Sequence, residues 1–307
     1  MSTTVLAQRK KRMKAQQWAP YVFISPFFIL FLVFGVYPIG YSIVSSFFDW
    51  KLIGTKPPVF IGFNNYVNIL TIDPFFNSAV INTVILLITG SLLQHIIALP
   101  LAILLNSKLV KAKELFKTAY FLPYITSTVS VVIIFGNLFD TNFGLVNWIL
   151  GWFGIEHIRW GSEDYGVKVI LSTILNWKFI GWNTVIYLAG LQAIPQEMYE
   201  AAEMDGARTF TKHLKITIPQ LYPIIFLAVS LSIIGGMQIF EEPFVLTGGY
   251  DNMGGPSNSG LTAAYYLMFT AFKAYKIGKG SAIAWLIFVT ILGLNAINRA
   301  ATRKYND

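Results

Sequence analysis

Two groups of residues in this chain have the types and spacing to do chemistry. The first is the run Glu200-Ala201-Ala202-Glu203-Met204-Asp205-Gly206, followed by the basic residues Arg208, Lys212 and Lys215 and then by Ile216-Thr217-Ile218-Pro219. Pro195 suits the first position of a helix, and Glu197 in its first turn favours the helix dipole. Glu200 and Glu203 follow at helical spacing, with Met198, Ala201 and Ala202 offering a narrow small-to-apolar surface. Gly206 permits a backbone turn that other residues resist, and Pro219 opens the next helix. The pattern predicts helix, bend, helix. Its chemistry is contact: carboxylates to meet a charge, alanines to allow close approach, a glycine to turn the chain.

The second group lies inside apolar sequence. Asn176-Trp177-Lys178-Phe179-Ile180-Gly181-Trp182-Asn183 combines aromatic faces with hydrogen-bonding groups, and Gln238, Phe240, Glu241 and Glu242 form a second polar-aromatic cluster. Lys178 is the outlier, because a lysine deep in a membrane span costs several kcal/mol unless it faces water or a partner. It is either a functional group, a side chain that snorkels to the outer surface, or the structural partner of Glu241 or Glu242. His95 also falls in an apolar stretch and reads as a packed, hydrogen-bonded histidine. No second histidine or carboxylate sits at ligand spacing, so no metal site is expected.

The elements around these groups are set by composition. Of 307 residues, 55% are hydrophobic and only 12% charged, about half the charged fraction of a soluble domain. Several stretches exceed the ~18–20 apolar residues needed to cross a bilayer, which predicts an all-α polytopic membrane protein. Six spans are expected, at roughly 21–48, 78–105, 119–139, 167–193, 217–240 and 281–298. Pro26, Pro38, Pro100 and Pro123 fall inside them and predict kinks rather than breaks. A further apolar stretch, Leu261 to Phe272, is too short to cross and is expected at the membrane interface. The start of the chain resembles a signal peptide, but its apolar core is too long and no cleavage pattern follows, so an uncleaved span is expected.

Lysine and arginine placement sets orientation. With the N-terminus inside, fifteen basic residues fall on the cytoplasmic side, among them Arg9, Lys10, Lys11, Arg12, Lys14, Lys108 and Lys304. Seven fall outside, including Lys56, and Lys178 stays within a span. Both termini are therefore expected in the cytoplasm, together with the loop between spans four and five. This divides the chain into a basic tail (1–20), a transmembrane domain (21–298) whose loop 194–219 is the contact segment, and a C-terminal tail (299–307). The formal charge of +8 reflects these flanks and is no nucleic-acid footprint. The absence of cysteine rules out disulfides, thiolate metal sites and cysteine catalysis.

The spacing Glu-Ala-Ala, three residues, Gly, nine residues, Ile, one residue, an aliphatic residue, Pro resembles the signature loop of binding-protein-dependent ABC importer permeases. Its one departure is Ile218, where that family usually has Leu. The likeness extends along the chain to the carbohydrate-uptake class, the maltose and glycerol-phosphate permease type. It is carried by Tyr37-Pro38, Ile61-Gly62-Phe63-Asn64-Asn65-Tyr66, Phe121-Leu122-Pro123, Phe143-Gly144-Leu145-Val146-Asn147, Leu191-Gln192-Ala193-Ile194-Pro195 and Leu246-Thr247-Gly248-Gly249. Tyr250-Asp251-Asn252-Met253 then intervene before Gly254-Gly255-Pro256, where relatives run directly into Gly-Gly-Pro. The resemblance implies a bacterial inner-membrane subunit that imports a sugar or oligosaccharide by alternating access. It implies a second similar permease, an ABC ATPase dimer carrying ATP and magnesium, and an extracellular sugar-binding protein as partners, with no nucleic acid and no cofactor on this chain. It assigns ATPase coupling to Glu200, Ala201, Ala202, Asp205, Gly206, Ile216 and Pro219, and the substrate pathway to Trp177, Lys178, Trp182, Gln238 and Glu241.

Rival classes fit less well. A membrane enzyme would need nucleophile or His-Glu-x-x-His motifs, and none occurs. An ion-coupled transporter would show intramembrane carboxylates and internal repeats. ATP binding to the chain itself lacks a Gly-x-x-x-x-Gly-Lys-[Ser/Thr] cradle. An ABC permease for another polar solute, such as glycerol phosphate, a polyamine or an amino acid, shares the same contact loop and stays open.

Overall fold

A computed structural model describes residues 18, 20–54, 57–107 and 110–303. Arg9, Lys10, Lys11, Arg12, Lys14, Lys56, Lys108 and Lys304 lie outside the described residues. The chain is built almost wholly of helices: α1 (Pro20–Ser45), α2 (Asn64–Thr71), α3 (Pro74–Asn106), α4 (Lys113–Ile125), α5 (Thr128–Leu138), α6 (Leu145–Trp152) and α7 (Asp164–Gln192). They continue as α8 (Gln196–Met204), α9 (Thr209–Lys212), α10 (Ile218–Met237), α11 (Glu241–Leu246), α12 (Ala263–Met268) and α13 (Ile277–Arg303). A short antiparallel hairpin pairs Phe48 with Phe60 and Asp49 with Val59.

Among the described residues, four helical runs are long and apolar enough to cross a membrane: Pro20–Ser45, Pro74–Asn106, Thr209–Leu246 and Ile277–Thr302. α4 and α5 make a fifth if the two count as one broken span. α7 has 29 residues, about 43 Å at 1.5 Å per residue, and is the helix that carries Asn176, Lys178 and Asn183. It sits at the centre, where Ile170, Leu171, Ile174, Leu175, Tyr187 and Leu188 are buried. Gly181 lets it touch α4 backbone to backbone, since an added Cβ would collide with the Tyr120 carbonyl.

Two expectations need correction. The third span, expected unbroken over 119–139, is two helices bent by 93°. Pro123 lacks an N–H, and Thr126 turns extended (ψ 153°) while its hydroxyl donates to the Pro123 carbonyl at 2.6 Å, closing α4 early. Elsewhere the kink expectation stands in altered form: α1 and α3 run on through their prolines but widen into π-turns at Leu32–Val36 and Leu87–Leu92.

The stretch Leu261 to Phe272 is packed inside the protein, with Leu261, Ala263 and Tyr265 fully buried against α3 and α13. Buried backbone outside regular helices persists only when its polar groups find partners. Asn82 supplies them, donating to the carbonyls of Asn258 (2.8 Å) and Leu261 (3.0 Å), and Thr83 accepts from the Ala263 N–H at 2.8 Å. The segment Tyr250-Asp251-Asn252-Met253 packs here as well. The Tyr250 ring packs on Phe244 with centroids 4.8 Å apart, and Asp251 pairs with Lys273 at 3.0 Å.

The second correction is small: Pro195 is the N-cap of α8, one residue ahead of its expected place.

Candidate functional site

α8 stands at one end of the bundle, beyond the C-terminal end of α7. Its own C-terminus is a Schellman turn: the Gly206 N–H donates to the Glu203 carbonyl at 3.0 Å and the Ala207 N–H to the Ala202 carbonyl at 2.9 Å. That geometry needs the left-handed backbone Gly206 adopts, at φ +76°. The chain then reverses through α9 and a π-turn, His213–Thr217, into α10, where Pro219 occupies the first turn.

Two contacts fasten α8 to this return: Lys212 pairs with Glu203 at 2.5 Å, and the hydroxyl of buried Thr217 bonds Tyr199 at 2.9 Å. Within the return, the same hydroxyl bonds His213 at 3.1 Å. Glu200, Ala201, Met204, Asp205 and Gly206 are exposed, and Met204 is 89% exposed. Ala202, Ile216 and Pro219 are half-buried against the bundle. The structure thus places Glu200, Ala201, Ala202, Asp205 and Gly206 on α8 and its C-terminal turn, and Ile216 and Pro219 in the return that leads into α10. A groove of about 1040 Å³ runs beneath it, lined by Glu200, Glu203, His213, Phe210, Asn106 and Pro100 among others.

The second site lies in the bundle interior. A cavity of about 530 Å³ opens between α3, α4, α7 and α10, with Trp182, Gln238, Glu241 and Glu242 on its wall. Trp182 stacks on Tyr124 with ring centroids 4.4 Å apart and planes 22° apart. Gln94, Asn183 and Ser232 add polar groups. Gln94 and Asn183 are 2% and 1% exposed, and their side-chain carbonyl oxygens have no hydrogen-bond partner. Buried polar atoms of this kind mark places where water or a ligand completes the set.

Of the predicted pathway residues, Trp182, Gln238 and Glu241 share this cavity. Trp177 and Lys178 do not line it. Trp177 packs on Phe135 at 5.5 Å and is 43% exposed on the outside of the bundle. The Lys178 ammonium is buried, donating to Glu242 Oε1 at 3.0 Å and Thr128 Oγ1 at 2.6 Å, with the Phe179 ring 5.5 Å away. Its partner is therefore Glu242, the structural alternative. Sequence reasoning did not single out Tyr124, Gln94 or Ser232. The signal for Tyr124 was its place directly after Phe121-Leu122-Pro123, at the break that aims it inward.

His95 is hydrogen-bonded on both ring nitrogens, to Tyr187 (2.8 Å) and Ser232 (3.0 Å), as a packed histidine would be. Among the described residues no group of three His, Asp or Glu side chains is placed to hold a metal.

Residues 96–306 match the family of binding-protein-dependent transport system inner membrane components. The chain belongs to that family. It is an inner-membrane transport component of an ABC importer, not an enzyme. An arabinooligosaccharides transport system permease protein of Bacillus subtilis is 37% identical over 91% of this chain and 87% of its own length. The counterpart from Halalkalibacterium halodurans is 35% identical over 90% and 85%. A lactose transport system permease protein of Rhizobium radiobacter is 32% identical over 99% of each chain. The fold matches a chain of a bacterial alginate ABC transporter, solved in complex with an alginate pentasaccharide-bound periplasmic protein, with a TM-score of 0.78, 21% identity and 96% coverage of both.

Proposed function

We propose that this permease forms one half of a sugar or oligosaccharide importer, with the interior cavity as its pathway and α8 as the element driven by an ATPase. The observation that carries the reading is the cavity itself. A stacked Tyr124–Trp182 pair faces amides and carboxylates within one enclosure, and sugars are recognised by aromatic faces together with hydrogen-bonding groups. The names of the relatives, which concern arabinooligosaccharides and lactose, support the same substrate class.

In this reading six spans cross the inner membrane with both termini cytoplasmic, and α8 lies on the cytoplasmic face. A second permease completes the pathway, an external sugar-binding protein delivers substrate, and ATP and magnesium are bound by two ATPase subunits. Glu200 offers them a charge partner, and Ala201 and Ala202 a close-packed surface.

The test is uptake by the reconstituted importer with its own binding protein, offered arabinooligosaccharides, lactose and maltose. Trp182→Ala is expected to lower uptake of the accepted sugar by about tenfold or more, in keeping with the ~0.5–1.5 kcal/mol of a stacked contact plus its buried area. Undiminished uptake would remove the cavity from the pathway.

A further inference from the structure

The cavity wall carries two carboxylates and one nearby cation, and they are not equivalent. Lys178 is 8% exposed and Glu242 7%, and their 3.0 Å ion pair, anchored by Thr128 at 2.6 Å, spends the lysine's charge. Glu241, the adjacent residue, is exposed, lines the cavity and has no ion-pair partner among the described residues. Among the described residues no lysine or arginine lines the cavity. A buried pair is effectively neutral to its surroundings, so the enclosure presents one net negative charge, from Glu241.

The pair also sits where two breaks in the helices meet. Thr128 opens α5 just after the 93° bend, and Glu242 lies in the first turn of α11, just past the end of α10. Lys178 on unbroken α7 ties both breaks to one point. Interruptions of this kind shape the sites of membrane transporters, and here the tie that fixes their shape also hides the cation.

We infer that the cavity is selective by charge: it admits neutral, hydroxyl-rich saccharides and rejects those bearing carboxylate or phosphate groups, because Lys178 is masked by Glu242 while Glu241 is left open. The inference rests on the cavity being the sugar pathway, a point the Trp182→Ala uptake measurement decides separately. Unpaired acceptors on Gln94 and Asn183 point the same way, since hydroxyl groups can donate to them and anions cannot.

The chain contains no cysteine, so a single Gln238→Cys reports the potential of the cavity without knowledge of the sugar. The permease–ATPase complex in nanodiscs is treated with the cationic ethyltrimethylammonium or the anionic ethylsulfonate methanethiosulfonate. Labelling of this chain is followed by mass, and each rate is divided by the reagent's rate with a small free thiol. The cationic reagent is expected to be favoured by about tenfold, the scale of one uncompensated charge at short range. Glu241→Gln should bring the ratio close to one, and Glu241→Lys should invert it. Glu241 is exposed, so neither change burdens folding. Glu242→Gln, which unmasks Lys178, should also move the ratio toward the anion. Equal normalised rates in Gln238→Cys alone, a ratio unmoved by Glu241→Lys, or failure of both reagents to react would each overturn the inference.

Discussion

Gly206 and Asp73 show how single residues fix the two ends of the molecule. The left-handed Gly206 backbone (φ +76°) closes α8 with two hydrogen bonds. Gly206→Ala places a Cβ in a conformation that costs about 1–2 kcal/mol, with open space around it. That substitution should loosen α8 without disturbing packing, read as a several-fold rise in amide exchange over 198–206 and little change in Tm.

At the opposite end, the Asp73 carboxylate caps α3 at Phe75 and Phe76, accepts from the Tyr266 hydroxyl at 2.7 Å and pairs with Lys279 at 2.5 Å. Burial alone would raise its pKa. The Lys279 and Tyr266 hydrogen bonds and the Lys279 charge outweigh that, and the pKa is lowered from 3.8. A lowered carboxylate stabilises the fold at all pH above 3.8, and that stability fades as pH falls through the folded value. Asp73→Asn should therefore lower Tm at pH 7, with a cost of about 1–3 kcal/mol, and the gap to wild type should close below pH 3.8. An equal gap at both pH values would show that the charge is idle.

At the scale of elements, local chemistry was legible in the sequence and distant pairing was not. The α8 bend could be read from Pro195, Gly206 and Pro219 because turns and caps depend on neighbours in the chain. Helices were legible as apolar runs. Lys178 was visible as an anomaly, but its choice of Glu242 over Glu241 was not. The two lie 64 residues apart, and the choice is made by how α11 restarts after α10. The break after Pro123 was hidden for a similar reason. Proline in a membrane helix is compatible with a kink or a break, and the outcome rests on whether α7 comes close enough to hold the bent pair. Gly181 permits that approach. Gly181→Val forces α4 and α7 apart, and overpacking of this kind costs about 1–3 kcal/mol or more. The purified complex should lose several degrees in Tm, or fail to assemble. An unchanged Tm would mean that the α4–α7 contact is dispensable.

Across the whole molecule, a helix at one end is joined to a cavity in the middle by α10, which begins at Ile218 and ends at Met237, next to Gln238 on the cavity wall. Tyr199 and Thr217 bind α8 to the base of that helix. In the proposed function, a push on α8 would pass along α10 to Gln238 and reach Glu241 across the break that follows Met237. The absence of cysteine also makes orientation measurable. Asp205→Cys should react with an impermeant thiol reagent only in inside-out vesicles, and Glu156→Cys only in right-side-out cells, and the reverse pattern would invert the topology.

In the proposed function, α8 carries the work of ATP hydrolysis into this chain. Glu200→Lys reverses the charge of an exposed residue and leaves the spans untouched, so the deciding measurement is sugar- and binding-protein-stimulated ATP hydrolysis by the reconstituted importer carrying it. Stimulation reduced by about tenfold or more, the coupling expected when a charge contact of ~1.4 kcal/mol or greater is lost, with the permease still inserted and assembled, is the predicted result. Stimulation equal to wild type would contradict the account.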